Sequence, residues 1–425
     1  MRVTINILGQ VGFLIALTSL SLLSRAQQAE QFADFDTAKK NALEIHGNLG
    51  FASNVISREM ASTYYNSGFI TTAMKDVVSN RFVKGDINRL GLDVNYGVQW
   101  NHFSQDFFGK HAGCWFSLED KTNLNATFTG DLFDLYFRGN KRFEGRTAEL
   151  SGSALNFLHY RKAELGWVQS LNYSEHRILY GVGVSFLQGL NSFRLTTGDK
   201  SRLFTEEGGV SIQPELSLLL QQSDSTTSKA SDFAGQGFGG DFFWVYDEPE
   251  KKRITIEVSD IGAIAWNSRS TSTSIDTTVY FSGIAIADVL KPDSTDFAAY
   301  DSTYFKQFVH NSNSTYSTWL PTLIHLSYQQ YLGGVKWLYK GGLSYRVKAS
   351  YSAMIYSGIQ YQPSKAFAFG AQASYGGYTG WSYGIHATLH PGGGTTLQLA
   401  VDQMNGLITK QASALAASIR INKTF

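Results

Sequence analysis

The C-terminal segment 415–425 reads Leu-Ala-Ala-Ser-Ile-Arg-Ile-Asn-Lys-Thr-Phe and gives the clearest indication of the fold. Its odd-numbered positions carry Leu, Ala, Ile, Ile and Phe, interrupted only by Lys423, whereas its even-numbered positions carry small or polar residues. A period of two residues is that of a β-strand with one apolar face. Because outer-membrane barrels usually end on an aromatic residue, we predict that Phe425 is the assembly signal of such a barrel.

Four earlier segments repeat the pattern, at 351–361, 367–375, 381–390 and 395–403. Each alternates apolar with small or polar residues, and most carry Tyr, Trp or Phe near their tips. This alternation is typical of transmembrane barrels, which face lipid with one side of each strand and the lumen with the other. A soluble β-sandwich or propeller would also alternate, but it should carry more charge on its exposed faces. We therefore predict an all-β fold, a transmembrane antiparallel β-barrel.

The expected barrel has about 14 strands, within a range of about 12–16, and has room for a small plug or a periplasmic helix. Further strands are predicted at 44–56, 89–104, 112–119, 123–137, 160–171, 177–190, 209–222, 236–247, 252–266, 276–286, 322–333 and 342–350, the last one continuous with 351–361. If the last strand ends in the periplasm, the compact turns at 362–365 and 390–394 face the periplasm as well.

Composition narrows the class of protein. The 425 residues include 36 Lys and Arg and 35 Asp and Glu, which give a net charge of +1. Such a balance argues against nucleic-acid binding, which requires a basic excess. Charged residues make up only 17% and aromatic residues 14%, whereas soluble proteins average roughly 25% charged residues. A lone cysteine, Cys114, excludes a disulfide framework within one chain.

The N-terminal residues 1–26 are predicted to be a signal peptide. Arg2 precedes an apolar stretch from Val11 to Leu23, and Ser24-Arg25-Ala26 places small residues where signal peptidase cleaves. A membrane anchor is the alternative, but the stretch falls short of the roughly 20 residues that span a bilayer. We expect cleavage near Ala26, a single barrel domain over 27–425, and location in the outer membrane of a Gram-negative bacterium.

Two segments do not alternate like a barrel wall. Residues 57–88 mix charged and apolar residues and are expected to pack inside or beneath the barrel. Residues 287–320 contain Pro292 and then aromatic residues at helical spacing, which predicts a short amphipathic helix at the periplasmic rim or in the lumen. An ordinary long loop is the alternative for this insertion.

From about residue 65 onward, the chain resembles the FadL-like and PorV-like barrels of Bacteroidota-type outer membranes. The resemblance is carried by 66–69 (Asn-Ser-Gly-Phe), 134–140 (Asp-Leu-Tyr-Phe-Arg-Gly-Asn) with Phe143, Gly145 and 150–152, then 160–161, 164–166, 180–184, 187–189, 237–241, 258–262, Trp266 and 320–321. It implies an outer-membrane barrel and does not settle a substrate. Our prediction is a transport or channel protein for hydrophobic or small solutes. PorV is a component of type IX secretion, so the alternative implied is a docking or scaffold barrel that binds exported proteins or secretion components.

Motifs for chemistry are missing from the sequence. It has no Gly-x-Ser-x-Gly motif for a serine nucleophile, so we expect no enzymatic activity and no cofactor. His386 and His390 share a strand face, but a strand separates them by about 13 Å, too far for one metal ion. We therefore predict no metal site.

The candidate site residues are polar side chains expected to face the lumen or the rim. The possible lumen-lining residues are His325, His386, His390, Gln372, Asp402 and Arg420. The possible plug or rim latch is the charged set Arg138, Lys141, Arg142, Glu144, Arg146 and Glu149. A solvated turn with mutual ion pairs is the alternative for that second set.

Three functional hypotheses follow. The barrel is a route or binding site for a hydrophobic or other small solute, a dock for an exported or secretion-system protein, or a purely structural scaffold. The expected partners are outer-membrane lipid, the barrel assembly machinery, and a small hydrophobic ligand or secretion-system protein, but no nucleic acid. Aromatic side chains that could serve either of the first two roles are Tyr64, Tyr65, Trp337 and Tyr378.

Overall fold

The computed structural model describes residues 40–107, 110–209, 211–224, 233–278, 309–333 and 336–425. These residues form one sheet of twenty strands. In chain order the strands are β1 Asn41–Ser53, β2 Ile87–Phe107, β3 Lys110–Thr129, β4 Arg146–Glu149, β5 Ala154–Asn172, β6 Arg177–Thr197, β7 Arg202–Thr205, β8 Ile212–Gln222, β9 Gly235–Glu248, β10 Lys252–Trp266, β11 Thr271–Thr278, β12 Val309–Asn313, β13 Tyr316–Trp319, β14 Leu323–Leu332, β15 Trp337–Arg346, β16 Ser352–Ser364, β17 Phe367–Gly377, β18 Trp381–Gly392, β19 Thr395–Val401 and β20 Ala414–Thr424.

Fourteen of the strands close into an antiparallel barrel. Around the wall they run β1, β2, β3, β5, β6, β9, β10, β14, β15, β16, β17, β18, β19 and β20. Strand β20 then pairs with β1, where Ile421 lies opposite Ile45 and closes the ring. The predicted transmembrane β-barrel is therefore confirmed, with a strand number inside the expected range.

Successive side chains of the wall point alternately outward and inward. On β5, Leu165 is 60% exposed, whereas its neighbour Glu164 is 1% exposed. On β6, Val184 is 70% exposed, whereas Ser185 is buried. The outward side chains are thus largely apolar, where lipid would surround them, as expected for a membrane barrel. The inward side chains include the polar ones and two buried apolar clusters, one around Trp115 and Phe243 and one around Leu187 and Trp266.

The two ends of the barrel differ in the length of their connections. At one end, which we call the short-turn end, the wall strands are joined by tight connections such as 249–251, 365–366 and 393–394. Phe425 is at this end too, where its backbone exchanges hydrogen bonds with Asn41. The opposite, long-loop end carries all the longer insertions. In outer-membrane barrels short turns face the periplasm and long loops the exterior.

The long-loop end carries a ribbon of short strands outside the wall. Strand β8 pairs with β7, β6 and β11, and β11 pairs with β12. The predicted strand at 209–222 therefore belongs largely to this ribbon rather than to the wall. Within the predicted insertion 287–320, residues 309–313 and 316–319 are strands at the long-loop end, so a helix at the periplasmic rim is wrong for them. Residues 287–308 and the predicted signal peptide 1–26 lie outside the described residues.

Three helices pack together at the long-loop end: α1 Arg58–Tyr65, α2 Thr72–Ser79 and α3 Gly130–Arg138. A fourth, α4 Asn405–Ile408, is a single turn. Each of the first three begins at a hydroxyl side chain, those of Ser57, Thr71 and Thr129, which accepts a hydrogen bond from a backbone N–H. No helix among the described residues is long and apolar enough to cross a membrane.

The helices share an apolar cluster with the ends of β1, β2 and β3. Met60, Val78 and Phe133 are its centre, and Leu90 and Phe128 pack against it. Leu90 and Phe128 are each an even number of residues away from outward-facing side chains of their own strand, so they point outward as well. The helices that pack on them therefore lie against the outside of the wall. The expectation that 57–88 packs inside or beneath the barrel is therefore wrong.

The strand predicted at 123–137 is also wrong in its second half. Residues 112–129 belong to one strand, β3, and the chain turns into α3 at Gly130. The Thr129 hydroxyl accepts a hydrogen bond from Leu132 N at 3.0 Å, which stabilises the first turn of the helix. Apolar residues at 132, 133, 135 and 137 fit a helix better than a strict alternation.

Candidate functional site

A cavity of about 310 Å³ lies in the lumen toward the short-turn end. Its walls are the inward faces of β14, β15, β16, β18, β19, β20 and β1, with Arg253 added from β10. The alternation of the strands places these side chains, because every second residue of each strand must point inward. A closed barrel therefore concentrates polar groups from distant parts of the chain around one space.

The cavity lining is rich in cationic and imidazole side chains. It contains Arg253, Lys340 and Arg420 together with His46, His325, His386 and His390, and no Asp or Glu lines it within the described part of the chain. Two carboxylates stand behind them: Asp247 lies 3.2 Å from Arg253, and Glu44 lies 3.2 Å from Arg420. The surface that a solute would meet is thus basic.

Hydrogen bonds fix the orientation of the histidines. His325 Nδ1 lies 2.8 Å from Ser344 Oγ, and its Nε2 lies 3.3 Å from the Tyr356 hydroxyl. His386 Nε2 lies 3.1 Å from Gln360 Oε1, but its Nδ1 is buried and has no hydrogen-bond partner among the described residues. Because Nε2 donates to the Gln360 oxygen, this Nδ1 is an unpaired acceptor in the neutral ring.

A second group of charges fills the opposite side of the lumen. This charge cluster consists of Lys121, Lys162, Glu119, Glu164, Asp241 and Asp260, all at least nine-tenths buried. Lys162 Nζ lies 2.8 Å from Glu164, contacts Asp241 and is 3.4 Å from Asp260. Lys121 Nζ lies 2.8 Å from Asp260 and 3.1 Å from Glu119. The contacts tie β3 and β5 to β9 and β10 through the lumen.

An irregularity of the wall brings Asp260 into the charge cluster. The pairing of β9 with β10 shifts register between Val258 and Ile261. Asp260, in the bulge, has a φ of 59°, and its N–H donates to Asp241 Oδ1 at 2.8 Å. Bulges of this kind re-aim a side chain, and here the carboxylate turns toward both lysines.

A third contact crosses the whole lumen above the cavity, toward the long-loop end. Arg346 Nη1 lies 2.7 Å from both carboxylate oxygens of Asp93. Asp93 is on β2 and Arg346 on β15, and these strands are halfway round the barrel from one another. A pair between opposite walls can form only if side chains occupy the lumen at that level.

Two tyrosines reinforce this contact. Tyr351 and Tyr378 pack edge to face with ring centroids 5.1 Å apart, and Arg346 lies over the Tyr351 ring. Tyr378 lies so close to Gly91 that a β-carbon there would come within 2.1 Å of its ring, so only glycine fits at that position. We call Asp93, Arg346, Tyr351 and Tyr378 the cross-lumen bridge. It separates the cavity from the long-loop end.

The predicted lumen-lining residues divide into two groups. His325, His386, His390 and Arg420 line the cavity. Gln372 and Asp402 are buried and hydrogen-bonded to each other at 3.1 Å, but they are not among the residues that line it. Groups of three or more His, Cys, Asp or Glu that could hold a metal ion do not occur among the described residues.

The six charged residues predicted as a plug or rim latch all lie at the long-loop end, and none lines the cavity. Arg138 contacts Asp134 at 3.0 Å and Asp76 at 2.8 Å, which joins α3 to α2. Arg142 lies 3.5 Å from Asp134. Lys141, Glu144, Arg146 and Glu149 are exposed. Arg138 therefore joins two helices at the rim, and the role of the set as a plug or rim latch stays a prediction.

The aromatic candidates also occupy different places. Tyr378 is buried in the cross-lumen bridge, whereas Trp337 is exposed at the short-turn end, so they cannot form one docking surface. Tyr64 is in α1, where its hydroxyl lies 2.9 Å from that of Tyr136. Burial and this hydrogen bond raise the pKa of Tyr64 to about 12, so Tyr64 stays protonated at neutral pH.

Sequence reasoning missed the cross-lumen bridge and the charge cluster. A signal was present, because Lys121, Lys162 and Asp93 interrupt strands that otherwise alternate, and each has inward parity. Charged residues that face a barrel lumen are costly unless they are paired. The sequence could thus have identified the members, but not which ones meet.

Comparisons with known proteins give a family and several similar barrels. The profile of a family of unknown function, DUF5723, matches residues 41–402. Proteins of curated function give no match. Among solved structures, the deltaS2S3 mutant of the monoaromatic hydrocarbon channel TodX is 8% identical, with 91% of each chain covered and a TM-score of 0.47. The toluene transporter TodX of P. putida is 9% identical, with 91% and 90% covered and a TM-score of 0.45. The CymD monoaromatic hydrocarbon channel is 8% identical, with 91% and 89% covered and a TM-score of 0.28.

Proposed function

The chain belongs to a family of unknown function, DUF5723, and we propose that it is an outer-membrane transport protein that takes a small polar solute into its lumenal cavity. The observation that carries the proposal is the cavity of about 310 Å³ inside a closed barrel. This volume is at the lower end of the range for small-molecule sites. Its polar lining favours a polar solute over a hydrophobic one.

The cross-lumen bridge supports a gated route rather than an open pore. It places a bidentate ion pair and two buried tyrosines between the cavity and the long-loop end. A transport cycle requires two states of such an element, one closed and one open. In this proposal the bridge is the gate, and the structure is that of the closed state toward the exterior.

Location in the outer membrane is part of the same proposal. Rows of exposed apolar side chains such as Leu165, Val184 and Ile45 surround the wall, and lipid would cover them. The predicted signal peptide at 1–26 would supply export. Fractionation of the native cells, with detection of the protein by antibody, tests the location directly. Recovery in the soluble periplasm would contradict it.

A cavity-filling substitution tests the proposed function. In the Arg346→Gln background, where the bridge is broken, Ala400→Trp should reduce the uptake of small polar solutes by proteoliposomes to the rate of protein-free vesicles. Ala400 lines the cavity, and a tryptophan there would occupy much of its volume. Liposome swelling with glycine, glucose and succinate measures the rate.

The matched control is Ala371→Trp, because Ala371 is exposed on the outer face of β17 and should tolerate an aromatic residue. Native folding of each variant is checked by the heat-dependent gel mobility that barrels show. Uptake that stays at the protein-free rate for every solute, even with Arg346→Gln alone, would overturn the transport proposal.

Docking of an exported or secretion-system protein is the second candidate. Its support is the long-loop end, where Phe69 is 84% and Ile408 70% exposed beside the helices. Exposed apolar side chains of this size often mark protein contacts. Gentle extraction from native membranes followed by native mass spectrometry separates the two candidates. A stoichiometric protein partner that is lost with Phe69→Ser would favour docking.

A further inference from the structure

We propose that the solute held in the lumenal cavity is a small oxyanion, one that carries carboxylate or phosphate groups. The inference rests on the proposed function and names the chemical class of its solute. It starts from the placement of charge: Arg253 from β10, Lys340 from β15 and Arg420 from β20 reach the same cavity from three parts of the wall. Carboxylate and phosphate are the groups that such side chains bind best.

The neighbouring carboxylates leave the cavity with an excess of positive charge. Asp247 is shared by Arg253 at 3.2 Å and Arg177 at 2.7 Å, so one carboxylate serves two guanidinium groups. Glu44 lies 3.2 Å from Arg420. Glu257 is buried on β10 opposite His325.

Counting these charges gives four fixed cations, Arg177, Arg253, Lys340 and Arg420, against three carboxylates, Asp247, Glu44 and Glu257. The local sum is therefore +1 before any histidine is protonated. The surplus of carboxylates in the lumen is elsewhere, in the charge cluster on β3, β5, β9 and β10, which holds four carboxylates and two lysines. Charge is thus segregated across the lumen, and the cavity is on its basic side.

The imidazole rings add further polar groups to the cavity wall. Because Gln360 Oε1 accepts from His386 Nε2, the Nδ1 of the neutral His386 ring is an acceptor, and the donors for an oxyanion are the three cationic side chains. His386 Nδ1 is buried without a hydrogen-bond partner among the described residues, and a buried polar atom left unpaired costs stability. His390 lies four residues farther along the same strand, closer to the short-turn end. Its Nδ1 is 3.1 Å from Thr396 Oγ1. Because the cavity has room and the described residues place no carboxylate in its lining, an oxyanion there would accept hydrogen bonds from Arg253, Lys340 and Arg420 without meeting a like charge.

Binding to the purified full-length protein in detergent tests this assignment without any transport step. Isothermal titration with succinate and with inorganic phosphate should show saturable binding at one site for at least one of them. Glucose and choline, which are neutral and cationic, should bind far more weakly. Lys340→Gln should weaken the anion by about tenfold or more, as expected for loss of a charge-assisted hydrogen bond, and Lys340→Arg should restore most of the affinity.

Lys365→Gln is the control, since Lys365 is exposed in the turn between β16 and β17 and does not line the cavity. Succinate binding without phosphate binding would identify an organic acid, and the reverse result a phosphate compound. Failure of both anions to bind, equal binding of glucose, or unchanged affinity in Lys340→Gln would overturn the assignment. If vesicles then still took up solutes without preference for anions, the transport proposal would be supported and only the oxyanion assignment would be overturned. If an anion bound but no solute entered the vesicles, the oxyanion site would be supported and the transport proposal would be overturned.

Discussion

Replacing Lys162 by methionine is expected to lower the free energy of unfolding by about 3–5 kcal/mol, the cost of breaking a buried ion pair by removing one partner. Lys162 is 2% exposed and contacts three carboxylates, those of Glu164, Asp241 and Asp260. Without its ammonium group, Lys121 alone would face the four carboxylates of the charge cluster. The remaining negative charges would be buried and uncompensated.

Equilibrium unfolding in urea, with the protein in lipid vesicles and tryptophan fluorescence as the signal, measures this loss. Lys365→Met makes the same chemical change at an exposed turn and should alter the free energy by no more than about 0.5 kcal/mol. Adding Asp241→Asn to Lys162→Met removes one of the stranded charges and should recover part of the stability. Equal stability of Lys162→Met and the wild type would show that the charge cluster does not hold the wall together.

Arg346→Gln is expected to open the lumen and to raise solute entry from the long-loop end about a hundredfold. Arg346 binds both carboxylate oxygens of Asp93 at 2.7 Å. Loss of a buried pair of this kind costs the closed state about 3 kcal/mol, and each 1.4 kcal/mol changes a population ratio by about tenfold. The open fraction rises by that factor as long as the closed state predominates in the wild type.

Single-channel conductance in planar bilayers measures the change, because open events are counted directly. Arg202→Gln is the matched control, since Arg202 also pairs with a carboxylate, Glu215 at 2.6 Å, but on the exposed ribbon outside the wall. Tyr378→Ala should act in the same direction as Arg346→Gln, because its ring fills the space against Gly91. Conductance that is unchanged in both Arg346→Gln and Tyr378→Ala would mean that the bridge does not gate the lumen.

The prediction of the barrel succeeded because its signal is local. The alternation over 415–425 and in the four segments before it follows from the strand period and needs no knowledge of the partners. The strand prediction at 123–137 failed where the period changes. Residues 57–88 were expected to leave the wall and do so, but their position relative to the barrel was wrong. In both segments, hydroxyl residues such as Thr129 begin helices, and those helices use apolar side chains that a strand pattern would also contain.

The candidate site was predicted in part for the same reason. Parity alone indicated that His386, His390 and Arg420 point inward, and all three line the cavity. The alternation shows whether a side chain points inward, but it does not give the position of that side chain along the barrel axis or around the wall. Gln372 and Asp402 point inward as well, yet they pair with each other away from the cavity lining.

The barrel, its apolar outer face and its inward polar and charged residues could all be predicted from the sequence, because they follow from residues two apart on one strand. Which inward charges meet depends on the closed wall and could not be predicted from one strand. Asp93 and Arg346 are 253 positions apart in the chain. They come into contact because strand order, register and closure of the ring set opposite walls face to face. The same geometry separates the cationic cavity from the carboxylate-rich cluster, since neither group is contiguous in sequence and both exist only once the wall has closed.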